Sequence, residues 1–172
     1  FMKTKMKKII VIGCPGSGKS TFARRLNEIT SIPLYYLDMI WHKADKTNIT
    51  QDEFDFKLNQ IISKKEWIID GNYQRTLNTR LENCDTVFLL NMDVDTCLLG
   101  AQSRIGKKRV DIPWVETEFD EEFKQYILNF NKEQLPEIYN KLSRINSKTI
   151  IIFNTHDEIN SYLESLKKEY KK

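Results

Sequence analysis

Gly13-Cys14-Pro15-Gly16-Ser17-Gly18-Lys19-Ser20 fits the spacing G-x-x-x-x-G-K-[ST], a set of residue types suited to holding phosphate groups. Its glycines let consecutive backbone N–H groups turn toward an anion, and a helix starting there adds partial positive charge. Gly13, Pro15, Gly16, Ser17 and Gly18 are expected to form the cradle for ATP, with Lys19, Ser20 and Thr21 opening the helix. Lys19 would supply a point charge for the β- and γ-phosphates, and Ser20 a hydroxyl ligand for Mg2+.

Other chemistry-bearing groups stand at the ends of apolar runs. Asp70 follows Trp67-Ile68-Ile69, as a carboxylate that orders a nucleotide-bound Mg2+ must, and Gly71 stands where many ATPases place a water-activating glutamate. Asp38 follows Leu34-Tyr35-Tyr36-Leu37; it could orient or deprotonate a hydroxyl-bearing acceptor, or simply cap a helix. Arg75 and Arg80 follow Asp70, and Arg104, Lys107, Lys108 and Arg109 lie in an unpatterned stretch. Phosphoryl transfer needs positive donors where charge migrates, and arginines on a mobile loop supply them. Solvated surface charge is the competing reading for any one of them. His42 reads as a surface or wall residue, and His156 follows the last strand, where a nucleoside base could rest.

These residues need elements to position them. Lys8-Ile9-Ile10-Val11-Ile12 is a β-branched run expected as a buried strand, and Phe22, Ala23, Leu26 and Ile29 repeat at helical spacing after the loop. Leu34–Asp38, Trp67–Asp70, Thr86–Leu90 and Lys148–Phe153 are the further expected strands. Between them lie a helix opened by a Thr50/Glu53 capping box, a helical face from Val94 to Ile105, and helical spacing from Phe119 to Phe130. Pro136 interrupts before Ile138–Ile145, and a closing helix carries Ile159, Tyr162, Leu163 and Leu166. Alternating units of this kind predict an α/β three-layer P-loop NTPase fold: a five-stranded parallel sheet with helices on both faces, in one domain over 2–172, with a short lid around 104–118.

Composition agrees with one packed domain. The 172 residues are 40% hydrophobic and 30% charged, with a net charge of +3 that is too mild to imply nucleic acid. Lysines 3, 5, 7 and 8 and lysines 167, 168, 171 and 172 are read as solvated tails. Cys14, Cys84 and Cys97 are odd in number and lack C-x-x-C spacing, so a reducing, cytoplasmic setting without disulfides or zinc is expected. Cys14 is read as a small residue filling the loop. No membrane span or signal peptide is expected, and Phe1 ahead of Met2 is set aside.

Asp70-Gly71-Asn72-Tyr73-Gln74-Arg75-Thr76 resembles the Asp-Gly-…-Arg-Thr segment of adenylate kinases, with one extra residue before the arginine. The resemblance implies that Asp70 orients Mg2+ and that Arg75 holds the acceptor phosphate. Arg104-Ile105-Gly106-Lys107-Lys108-Arg109 looks like the start of an adenylate-kinase lid, which implies that Arg104 and Arg109 close over the transferring phosphoryl group. The segments Ile12 to Thr21, Leu37 to Trp41, Trp67 to Tyr73 and Arg104 to Asp111 are similar to those of the DNA-topology modulation proteins among the P-loop kinase-like proteins, a resemblance that covers essentially the whole chain. Tyr73 stands where adenylate kinases usually carry proline, and the lid is short and lacks cysteine ligands, so a different acceptor pocket is implied.

The expected activity is a kinase-like transfer from Mg-ATP to a small acceptor, with nucleotides and nucleosides among the candidates. The alternative is a nucleotide-dependent DNA-binding regulator of DNA topology, against which stand the modest charge and the lack of a helix-turn-helix signature. A GTPase would need Asn-Lys-x-Asp after a late strand; the nearest string, His42-Lys43-Ala44-Asp45, lacks the asparagine and follows the wrong strand.

Overall fold

The strand β1 (Lys8–Gly13) is the centre of the molecule, and Ile9 to Ile12 are wholly buried. Only a strand covered on both faces can carry such an unbroken apolar run. The computed structural model describes residues 5–171; Lys3 and Lys172 of the basic ends lie outside them. After β1 come α1 (Lys19–Thr30), β2 (Leu34–Tyr36), α2 (Leu37–Trp41), α3 (Gln51–Ile62) and β3 (Trp67–Asp70). They are followed by α4 (Gln74–Asn83), β4 (Thr86–Leu90), α5 (Val94–Ser103), α6 (Glu121–Glu133), α7 (Leu135–Leu142), β5 (Thr149–Phe153) and α8 (His156–Tyr170).

The five strands form one parallel sheet in the order β2-β3-β1-β4-β5. From β1 the chain crosses to the edge strand β2, returns to β3 beside β1, then passes to β4 on the other side of β1 and on to β5. The switch in direction leaves a crevice at the carboxyl end of β1, where ligands bind in open α/β sheets. The loop after β1 and the end of β3 meet there, because Val11 pairs with Asp70. Helix α1 packs on α8, and α6 on α5 and α7. Phe22 anchors α1 edge-on against Phe88 of β4 and Phe153 of β5.

Several local expectations need correction. The second strand stops at Tyr36, whose partner Asp70 is the last residue of β3. With no ladder partner beyond it, the chain turns into α2, and Asp38 sits in that helix's first turn instead of ending a strand. Ile105 lies beyond α5, and Phe119 precedes α6, whose N-cap is Asp120. Pro136 belongs to the first turn of α7, where a missing N–H costs nothing. The Thr50 cap is as expected: its hydroxyl oxygen accepts the Glu53 N–H at 3.1 Å.

Four of the terminal lysines, at positions 7, 8, 167 and 168, are held by the fold at their backbones. Lys8 begins β1, the backbone N–H groups of Lys7 and Lys8 donate to Asp85, and Lys167 and Lys168 lie in α8. Among the described residues no helix is long and apolar enough to cross a membrane.

Candidate functional site

A cleft of about 1410 Å3 opens over the loop between β1 and α1. Pro15, Gly16, Gly18, Lys19, Ser20 and Thr21 line it, whereas Ser17 is fully buried beneath, and Gly13 is held from behind. That hold is reciprocal: the Gly13 N–H donates to Asn72 Oδ1 at 3.0 Å, and Asn72 Nδ2 donates to the Gly13 carbonyl at 2.8 Å. On the other side, Gly16 and Gly100 of α5 touch backbone to backbone. A Cβ on Gly16 would lie 2.0 Å from the Cys97 carbonyl, and one on Gly100 would lie 2.1 Å from the Gly16 carbonyl. Such proximity requires glycine at both positions. His156, at the start of α8, places Nε2 3.1 Å from the Ser17 carbonyl. The carbonyl can only accept, so Nε2 carries the proton and the histidine props the loop.

Cys14, Cys84 and Cys97 are buried free thiols. A hydrogen bond with Cys97 and then burial push the Cys14 thiol far up, so it fills the loop and is no nucleophile at neutral pH.

The metal-binding expectation centres on Ser20 and Asp70. Ser20 Oγ lies 2.8 Å from Asp70 Oδ2. Asp70 is 5% exposed, and its Oδ1 is buried without a hydrogen-bond partner. Burial pushes the Asp70 carboxyl up to about 6, against the pull of Lys19 and the Ser20 hydroxyl. A buried, half-satisfied carboxylate beside a hydroxyl is an oxygen donor set that suits Mg2+, the remaining ligands being phosphate and water. Among the described residues no three His, Cys, Asp or Glu side chains group to hold an ion by themselves.

The acceptor side of the cleft is built from α2 and the turn after β3. Tyr73 donates its hydroxyl to Asp38 Oδ1 at 2.6 Å, and His42 Nε2 lies 4.0 Å from the same oxygen. Tyr73 stacks on Phe54, and burial followed by the Asp38 charge holds its phenol protonated far above the usual range. Its backbone is strained, at φ 23° and ψ 76°. Arg80 accounts for its persistence. The wholly buried guanidinium donates to the carbonyls of Gly71, Asn72 and Tyr73 at 3.0, 2.7 and 2.9 Å, and to Thr76 Oγ1 at 3.3 Å. Burial lowers its pKa to about 9, which still leaves it charged at neutral pH.

The arginines therefore divide. Arg80 is a scaffold for the turn, not a phosphate donor. Arg75 faces away from the cleft, forming a two-point ion pair with Asp55 at 2.7 and 3.1 Å, with both side chains substantially exposed. The structure does not bring it to the acceptor side. Arg104 and Arg109 do line the cleft. Arg104 is half-buried with its Nε unpartnered, and burial reinforced by Arg109 lowers its pKa. Arg109 donates to both oxygens of Asp111, at 3.0 and 2.6 Å, and to Glu116. Segment 104–118, which follows α5, contains no helix or strand and folds over the cleft, where Trp114 meets His42 ring to ring at 5.0 Å.

The sequence gives Asn72, Gly100 and Asp111 no chemical role, and marks Tyr73 only as a departure from the adenylate-kinase pattern. Asn72 is visible there only as part of the Asp70–Thr76 segment.

The chain is 32% identical over 88 residues to the adenylate kinase of Thermotoga petrophila and 31% identical over the same length to that of Thermotoga neapolitana. Those matches take in half of this chain, and it spans about two fifths (39%) of the length of these curated relatives. Shikimate kinase from Bacteroides thetaiotaomicron superposes with a TM-score of 0.64 at 14% identity, covering 98% of this chain and 100% of that one. A gluconokinase from Sinorhizobium meliloti 1021 gives 0.56 at 12% identity, covering 98% and 96%. The fold is that of P-loop kinases. No family model matches the chain.

Proposed function

We propose that the chain is a phosphotransferase that moves the γ-phosphoryl group of Mg-ATP to a small, hydroxyl-bearing acceptor. The observation that carries this reading is a single cleft holding Lys19, the Ser20–Asp70 pair, Arg104 and the Asp38 carboxylate together. The adenylate-kinase matches and the kinase fold agree with it. The bound Mg2+ would neutralise charge on the β- and γ-phosphates. Loop N–H groups and Lys19 would hold those phosphates, and Ser20 and Asp70 would hold the metal shell. Arg104 is positioned to take up charge as the phosphoryl group leaves, with Arg109 joining once freed from Asp111. In such a site most of the rate enhancement comes from positioning and electrostatics.

Asp38, with one oxygen taken by Tyr73, has the other for the acceptor hydroxyl, which it would orient and deprotonate. The choice of a hydroxyl-bearing acceptor over a nucleoside monophosphate rests on Arg75. Its pairing with Asp55 outside the cleft takes away the cation that the resemblance assigns to an acceptor phosphate. The DNA-regulator reading rests on resemblance alone, and the adenylate-kinase matches lend it no support.

The test is ADP formation from Mg-ATP across polyols, sugars, hydroxy acids, nucleosides and nucleoside monophosphates, with Lys19→Ala as control. Turnover raised by an acceptor and abolished in the variant is expected. ATP binding without turnover on any acceptor would refute the kinase reading, and turnover on monophosphates alone would refute the acceptor class.

A further inference from the structure

Asp111 lies 91 positions from Ser20 in the chain, yet its Oδ2 is 3.0 Å from Ser20 Oγ. Asp70 Oδ2 is 2.8 Å from the same oxygen. A hydroxyl has one proton and can donate it to only one of these carboxylates. The other contact therefore brings two oxygens together with no proton from serine between them. Two carboxylates meeting on one hydroxyl that can satisfy only one of them make an oxygen-rich set of the kind that suits a hard cation.

Two further observations point the same way. Asp70 Oδ1, buried in the same place, has no hydrogen-bond partner. Asp111 is 5% exposed although it lies in an irregular segment whose neighbour Val110 is 55% exposed, so this carboxylate is directed inward. Arg109 neutralises it at 2.6 Å.

We infer that Asp111 is a second acidic group of the metal shell, carried by segment 104–118, so that cation binding and closure of that segment are coupled. The inference rests on the Mg-ATP reading and deepens it. Together with Ser20 and Asp70 it makes three protein oxygens from three separate parts of the chain, with phosphate oxygens and water completing the shell. Coordination of Asp111 would also release part of Arg109's pairing, leaving that guanidinium free for phosphate. Metal, lid and arginine thus engage in one event.

The sign of one substitution separates this arrangement from its rivals. Calorimetric titration of ATP, once in EDTA and once with Mg2+, gives the factor by which metal tightens binding. In Asp111→Asn that factor is expected to fall roughly tenfold or more, the size usual for loss of a group supporting a metal. Affinity in EDTA should stay level or rise, because a negative charge near the phosphates is gone. Asp111→Ser, which removes the carboxylate but keeps a polar group, should behave alike and serves if the asparagine variant folds poorly. Electron paramagnetic resonance of Mn2+ with ATP gives a readout independent of turnover, and a changed Mn2+ spectrum in the variant is expected.

An unchanged metal factor would overturn the inference. So would equal weakening in both arms, the mark of a residue that merely positions Arg109. Equal tightening in both arms would make Asp111 a latch that ATP must displace, which also overturns it. Failure of the wild-type protein to bind ATP in either arm would instead remove the nucleotide reading, and this inference with it.

Discussion

Replacing Asp70 by asparagine should stabilise the protein without ligand while removing its response to metal. The buried Asp70 carboxyl has a pKa of about 6, against 3.8 for its ordinary value. Burial is the main cause. Asp38 and Asp111 add to it, while Lys19 and the Ser20 hydroxyl oppose it. A folded-state pKa above the unfolded one means that protonation favours the folded state. The stabilisation is fully present below pH 3.8 and is lost as pH rises through about 6. The difference amounts to about 3 kcal/mol, at about 1.4 kcal/mol per pH unit. Asparagine keeps the acceptor for Ser20 and cannot ionise, so it resembles the protonated aspartate at every pH. The stability gap between Asp70→Asn and wild type should therefore widen by about 2.4 kcal/mol between about pH 4 and pH 7, equivalent to roughly 5–10 °C in Tm for a chain of this size. Urea unfolding in EDTA across that range measures it. Addition of Mg-ATP should reverse the order, because only the wild type gains from the metal. A gap that stayed constant with pH would refute the reasoning, since it would show that Asp70 ionises as freely in the fold as outside it.

Gly100→Ala should lower ATP affinity at least tenfold, because the new methyl would lie 2.1 Å from the Gly16 carbonyl and push the phosphate loop off α5; an associated loss of roughly 1–3 kcal/mol in thermal stability is expected from overpacking. Arg75→Ala should stay within about 1 kcal/mol of wild type in urea unfolding and keep its turnover, as an exposed ion pair contributes little. Arg80→Met should cost about 3 kcal/mol or more, since it strips the donors from three carbonyls of the Tyr73 turn. Equal effects of these last two substitutions would contradict the division between surface and scaffold.

What could be read from the chain alone was whatever depends on neighbours in sequence. The phosphate loop is contiguous, so its glycines, Lys19 and Ser20 reveal the chemistry without any fold. The apolar runs of β1, β3 and β4 and the helical spacing between them reveal a parallel sheet, because burial on both faces leaves its mark residue by residue, and the apolar run of the more exposed edge strand β5 extends it. Asp70 was legible for the same reason: it ends a strand whose start and direction were already clear.

The rest was decided by tertiary structure. Arg75 and Arg80 stand five positions apart on one helix, and nothing local distinguishes the one that meets Asp55 at the surface from the one that is buried under the turn. Leu34 to Leu37 is apolar enough to suggest a strand ending at Asp38, but the end of β3 removes its ladder and makes it helical. Asp111 lies in a stretch without periodicity, and its role depends on a contact with Ser20 across 91 positions. Periodicity records which face of an element is buried. Which polar groups then meet across the cleft depends on how loops from distant parts of the chain come to rest on one another, and only the folded molecule determines that.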